Sequence, residues 1–465
     1  MPPSPVFMPI SELGELIRTR QFSSVELTEL FLNRMERIGP RFNAVVTVTR
    51  EHALKQARQA DRELASGHHR GPLHGIPYGA KDLLATSGGI PTTWGAAPYR
   101  NQTFDYDATV IKRLKKAGAV LVAKLAMIEL AGGMGYRQPN ASFTGPPRNP
   151  WNSDTWAGGS SSGSGIAVSA GLVPFAIGSE TWGSIMLPAN NCGITGLRPT
   201  YGRVSRYGAM ALSWSLDKLG PLALSAEDCG LIIEAIAGPD PKDPTTIPRP
   251  FRYTRTNDRV FRLGIPCGVT EDLDKAVHEN FKCSLNILER VSLVEEFEFP
   301  DLPYEAITRT ILNAESASAF EGLVEEGKIS ELTAPEDRIG AYHRTAVLAK
   351  DYLRALRLRT VMGKVVDKRL STYDAVVAPT SRTAATPIDQ PFRHPILRSG
   401  DVMGAIGNSA GLPSISVPNG FTPGGLPTGV QFMGKASDEN AVLSIAQKYQ
   451  SMTNWHEQHP SLESG

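Results

Sequence analysis

A serine- and glycine-rich run, AGGSSSGSGIAVSAGLVPFAIGSETWGSIMLPAN over residues 157–190, carries one acid and no histidine. Hydroxyls at this density could act as nucleophiles, but a serine attacks carbon poorly until a base takes its proton. Histidine is the usual base. Of the nine here, His52, His68 and His69 fall in a polar helical region and His456 and His459 in the tail. None sits in a GxSxG elbow or beside an evident acidic partner, and the tail's HEQH is not the metal-binding HExxH. A neutral lysine can replace histidine, because burial lowers an ammonium pKa from ~10.4 by up to ~3–5 units. Lys81 ends the Gly- and Pro-punctuated segment GPLHGIPYGAKDLL, whereas most lysines of the chain lie on polar helix faces. Taken alone, that placement reads as a salt bridge with Asp82 or another acid at the core edge. His74, in the same segment, is an alternative base.

Two other readings of residues 157–190 compete with catalysis. Flexible Gly/Ser linkers lack apolar residues, whereas SGIAVSAGLVPFAIG has a sustained apolar content that must be buried. A phosphate cradle needs GxxxxGK[ST] or GxGxxG between strand and helix. GSGIAVSAG has two glycines at a suitable offset, but no lysine follows and no acidic residue closes a second strand.

The elements that would position these groups read as α/β. Helices are expected at SELGELIRTR, at SSVELTELFLNRMERIG with Ser23 and Glu26 in capping-box spacing, and at REHALKQARQADRELASG closed by Gly67. Further helices fit SAEDCGLIIEAIAG and ENAVLSIAQKYQ, and ATVIKRLKK with Lys112, Arg113, Lys115 and Lys116 on a solvated face. AVLVAKLAM, VPFAIGSE and YDAVVAPTS read as buried strands, and strands alternating with helices mean an α/β fold.

Lys plus Arg number 48 against 47 Asp plus Glu, which removes the electrostatic reason to expect nucleic-acid or anionic-membrane binding. Cys192, Cys229, Cys267 and Cys283 show no CxxC pairing and lie in segments that read as buried, as for reduced thiols in a cytoplasmic protein without a structural metal. No stretch approaches the ~18 apolar residues of a membrane span. The Pro-rich interval 238–259 is a possible boundary, but strand-like FRLGIP follows it. The expectation is a single domain over residues 1–465: a helical part at about 8–67, a core at about 70–230, a surface excursion at 238–259, and a sheet and helix part at 260–460.

GGSSSGSGIAVSAGLVPFAIGSETWGSIMLPA resembles the glycine- and serine-rich signature of the amidase signature family, and GIPYGAKDLL its lysine segment. The likeness continues through GPPRNPWN, CGITGLRPTYGRVSRYGAMALSWSLDKLGPLALSAEDC and GNSAGLPSISVPNGFTPGGLPTGVQFMG. It implies one large twisted mixed β-sheet surrounded by α-helices, carrying a Ser, cis-Ser, Lys triad and no cofactor or metal. Motif for motif, Lys81 takes the lysine position, Ser160 the cis-serine and Ser184 the nucleophile. The backbone of Thr181, Trp182, Gly183 and Ser184 matches the oxyanion hole, with Ser161 and Ser179 in support. Four positions depart from the signature: Glu180 replaces an aspartate, Trp182 a glycine, Met186 an arginine and Asn190 a small residue.

The implied activity is hydrolysis of amide C–N bonds, with esters or carbamates as additional substrates. Trp94, Met134, Tyr136, Trp156, Trp182, Met186 and Met210 flank the motifs. Met134, Trp182 and Met186 in particular suggest a pocket for an apolar or aryl group. The expected partner is then a small molecule, without nucleic acid or membrane, acting on a monomer or homodimer. The alternative is a glutaminase subunit of a tRNA-dependent amidotransferase, since GRVSRYGAMALSWSLDKLGP is close to that subgroup.

Overall fold

Segments such as VLVAKL and FAIGSE are apolar or buried at every position instead of alternating, as in strands covered on both faces. The computed structural model describes residues 5–254, 259–392 and 401–462, and gathers these segments into one sheet. In chain order the strands are β1 (Val45–Val48), β2 (Pro77–Lys81), β3 (Val120–Leu125), β4 (Phe175–Glu180), β5 (Thr195–Arg198) and β6 (Lys218–Ala223). There follow β7 (Phe261–Pro266), β8 (Ser292–Phe297), β9 (Ala375–Pro379), β10 (Ser414–Phe421) and β11 (Pro427–Gly434). They lie in the order β1-β3-β2-β4-β6-β5-β10-β11-β9-β7-β8. β2 runs parallel to β3 and β4, and β7 parallel to β8 and β9, while the remaining pairs are antiparallel. This is the mixed α/β sheet expected from the motifs, with helices packed on it.

Local signals account for the helix ends. Ser23 accepts from Glu26 N, and Glu26 returns a bond to Ser23 N at 2.8 Å, closing the capping box of helix Ser24–Ile38. Helix Arg50–Ala65 stops just before Gly67, whose φ of +81° suits glycine. Ser225 caps helix Ala226–Ile236, and buried Asp228 accepts from Ile10 N at 2.9 Å, tying the N-terminal helix to the core.

The small residues of helix Ser162–Ser169 let it lie directly against its neighbours, with every residue buried. A Cβ at Gly163 would stand 2.4 Å from Ala126 N and from Ala44 O, so only glycine permits that approach. The serine- and glycine-rich run is therefore core rather than linker.

Two details differ from the expectations. Arg113 turns away from its solvated helix face and donates to the carbonyls of Ile236, Gly238 and Pro239. Cys192 and Cys229 are buried, but Cys267 and Cys283 are exposed. The interval 238–259 runs mostly exposed and is tied down at its start: Asp240 accepts from Thr109 at 2.5 Å and Ser205 at 2.6 Å, and Asp243 accepts from Arg206 N at 2.8 Å. Residues 255–258 of that interval lie outside the described residues.

Candidate active site

Parallel pairing of β2 with β4 aligns Ala80 with Ile177, so Lys81 and Ser179 leave the sheet at the same carboxyl-terminal end. Helix Ser162–Ser169 begins at that end and brings Ser160 and Ser161 with it. The Gly159–Ser160 peptide is cis. Lys81 Nζ stands 2.7 Å from Ser160 Oγ, 2.9 Å from Ser179 Oγ and 3.0 Å from Ser161 Oγ. Burial pushes its ammonium down to about 7, against the opposing pull of Asp217 and Glu180.

A neutral amine offers two protons and one lone pair. Ser161 has committed its own proton to the Ser179 carbonyl at 3.0 Å, so it can only accept from the lysine. The lone pair is left for Ser160 or Ser179, and Ser160 is nearer. A serine that gives its proton to Lys81 can take one from another hydroxyl, so the arrangement can relay protons.

Two features bring the loop 181–184 to this cluster. Ser161 N–H donates to the Ser184 carbonyl at 3.3 Å, and Ser184 itself is only 8% exposed. The Ser184 hydroxyl makes no hydrogen bond among the described residues, which leaves it free to meet a substrate. Around it, the amides of Thr181, Trp182, Gly183 and Ser184 likewise find no acceptor among the described residues. Four N–H groups without acceptors at one turn suit an oxyanion that develops only during reaction.

The same loop faces a cavity of about 790 Å³, with Tyr136, Trp156, Trp182, Met186, Arg382 and Asp401 on its wall. Trp182 donates through Nε1 to Asp401 Oδ2 at 2.7 Å. A Cβ on Gly404 would come within 2.6 Å of that indole nitrogen, so the bulk at position 182 is matched by a glycine opposite. Met186 lines the cavity, but Met134 does not: it is 2% exposed within the main apolar core.

Glu180, the acid of the signature loop, has its cation on a distant strand. Arg198, in β5, pairs with Glu180 at 2.8 Å, and Glu180 in turn accepts from the amides of Ile185 and Met186 at 2.8 and 3.1 Å. Burial raises the Glu180 carboxyl, but Arg198, Lys218 and these hydrogen bonds outweigh it and hold the group down to about 2.

The geometry favours neither alternative for this segment: no ion pair joins Lys81 to an acid among the described residues, and His74 stands apart from the serines. Asp82 pairs with Lys124 at 3.3 Å, not with Lys81. His74 is buried at the other end of β2, where Nδ1 accepts from Arg70 N at 3.1 Å and Nε2 faces Glu63 at 3.2 Å. Replacing His74 with glutamine should therefore cost about 1–3 kcal/mol of stability by thermal denaturation. The pH–rate profile should not change; a displaced profile would return His74 to the relay.

Glu180, Asp217, Arg198, Asn408 and Asp401 were not singled out by sequence as parts of the site. Glu180 alone left a signal, as a departure from the family signature. No group of three or more His, Cys, Asp or Glu among the described residues could hold a metal ion. No helix among them is long and apolar enough to cross a membrane.

The family model for amidases matches residues 26–443. The chain belongs to the amidase signature family. It is 36% identical to the A subunit of glutamyl-tRNA(Gln) amidotransferase from Methylococcus capsulatus, over 97% of this chain and 98% of that one. The solved A subunit from Thermotoga maritima superimposes with a TM-score of 0.82 at 30% identity, covering all of both chains. The peptide amidase of Stenotrophomonas maltophilia gives 0.87 at 30% identity over 98% of this chain and 99% of that one.

These amidase-family relatives correct the expected substrate and partner. A free-standing monomer or homodimer acting on small apolar or aryl amides, esters or carbamates, without nucleic acid, does not fit full-length relatives named as subunits of a tRNA amidotransferase. The physical source of the error is visible in the fold. Met134 belongs to the core rather than the cavity, and Arg382 and Asp401 put charges of both signs on the cavity wall. The near-neutral composition excluded a polyanion partner only for this chain acting alone; one member of a complex can leave that contact to another.

Proposed function

We propose that this chain, acting as one amidase domain, is the glutaminase subunit of a cytoplasmic tRNA-dependent amidotransferase. The observation that carries the reading is full-length similarity to the A subunits of such enzymes, together with a buried lysine bonded to three serines beside Ser184. Charges of both signs on the cavity wall suit the amide of a free amino acid.

In the proposed reaction, neutral Lys81 takes the Ser160 proton as Ser160 takes that of Ser184. Ser184 Oγ then bonds to the amide carbon, and the resulting oxyanion is held by backbone N–H groups of the loop 181–184. Collapse of this intermediate breaks the C–N bond, and the relay returns its proton to the departing ammonia. Water, deprotonated by the same relay, attacks the Ser184 ester and releases glutamate.

The test is to tag the full chain in its native host, isolate what co-purifies, and measure ammonia release from glutamine with and without glutamyl-tRNA(Gln). Stimulation by the charged tRNA and a co-purifying subunit are expected. An isolated chain that cleaves aryl amides far faster than glutamine, with nothing co-purifying, would refute the proposal.

A further inference from the structure

The loop Thr181–Ser184 is short, and its amides are useful only if they point to one place. Two buried carboxylates hold it, one from each side. At its start, Thr181 donates through Oγ1 to Asp217 Oδ1 at 2.5 Å, and Asp217 Oδ2 is fixed by the amides of Leu212 and Ser213 at 2.8 and 2.9 Å. Just past its end, Glu180 Oε2 accepts from the amides of Ile185 and Met186. The other oxygen, Oε1, accepts from Arg198 at 2.8 Å and from Asn408 Nδ2 at 3.1 Å. Asn408 also accepts from buried Lys218 at 2.7 Å.

We propose that Glu180 and Asp217 are the positioning residues of this site, clamping the loop between them so that its amides converge on one point. The inference rests on the proposed Ser184–Ser160–Lys81 relay and extends it to groups that hold the loop. Both carboxylates pull the Lys81 pKa upward against burial, so they limit how far the amine is weakened. Other charges flank these acids. Arg198 and Lys218 lie beside Glu180, Arg206 acts on Asp217, Arg359 lies near Lys218, and the Asp82–Lys124 pair follows β2. The cation for Glu180 comes from Arg198 in β5, on the far side of β6, which ties the loop to a strand that does not adjoin β4.

Hydrogen bonding and charge separate by substitution. Glu180→Gln and Asp217→Asn remove charge with little change of shape, whereas Thr181→Val removes only the hydrogen bond to Asp217. With glutamine as substrate, all three should lower kcat about ten- to a hundredfold with KM within about threefold, the pattern of a lost transition-state interaction. The acid limb of the pH–rate profile should move to lower pH in the two charge variants and stay in place in Thr181→Val. Thr181→Ser, which keeps the hydroxyl, should recover most of the loss. If a buried-charge variant fails to fold, the Thr181 pair still tests the clamp.

Stoichiometric labelling of Ser184 by a sulfonyl fluoride in the wild type keeps failure of the relay distinct from failure of the clamp. Folded charge variants with wild-type kcat and an unmoved acid limb would overturn the proposal. So would a Thr181→Val variant as fast as the wild type.

Discussion

Lys81→Met should lose about 10³- to 10⁴-fold in kcat, the scale of a missing general base, while the protein still folds. Wild-type activity should rise with pH through about 7, where burial leaves the Lys81 amine, and flatten above it. The reason is protonation state: below that pH the lysine holds three protons and has no lone pair to receive one from Ser160.

Stability carries the same signature. The folded pKa of Lys81 lies below the ~10.4 of an exposed lysine, so between those values the unfolded chain binds the extra proton. The contribution of Lys81 to stability is therefore complete above pH ~10.4 and is lost as pH falls toward 7. Wild type should accordingly gain stability over Lys81→Met as pH is raised from 7 to 10, measured by denaturant midpoint. A Lys81→Met variant retaining a tenth of wild-type kcat, or a flat profile in the wild type, would remove lysine from the mechanism.

The second large effect belongs to Ser184. A phosphonate or sulfonyl fluoride should add one adduct to the wild type by intact mass and none to Ser184→Ala, whose kcat should fall by about 10⁴-fold or more. The alanine variant should keep its fold, because the Ser184 hydroxyl makes no hydrogen bond among the described residues. Labelling that persists in Ser184→Ala would mean that another hydroxyl is the nucleophile, with Ser160 the next to test. Labelling of wild type should also weaken below pH 7, since Ser184 depends on the Lys81 amine to lose its proton. A reaction with the probe that is independent of pH would separate the two residues.

Much of this was legible in local sequence. VLVAKL and FAIGSE announce covered strands because their apolar runs do not alternate, and Ser23 with Glu26 announces a helix start because the capping box is made within four residues. Lys81, Ser160 and Ser184 could be matched because each sits in a long motif whose order the family resemblance supplies. Local sequence was insufficient where the answer depended on a distant neighbour. His74 and Lys81 share one segment, yet they lie at opposite ends of β2, one against Glu63 and the other among serines. Met134 and Met186 are both apolar and both near motifs, but only Met186 reaches the cavity.

Short-range periodicity and motifs along the chain were thus enough for the α/β class and the family, and they nominated the three side chains of the proposed relay. Which charges meet was left to the tertiary structure. Arg198 in β5 pairs with Glu180, Asn408 reaches Glu180 from a helix more than two hundred residues on, and Asp401 receives the Trp182 indole. Such contacts depend on strand order and register, which bring residues together without leaving any spacing in the sequence to mark them.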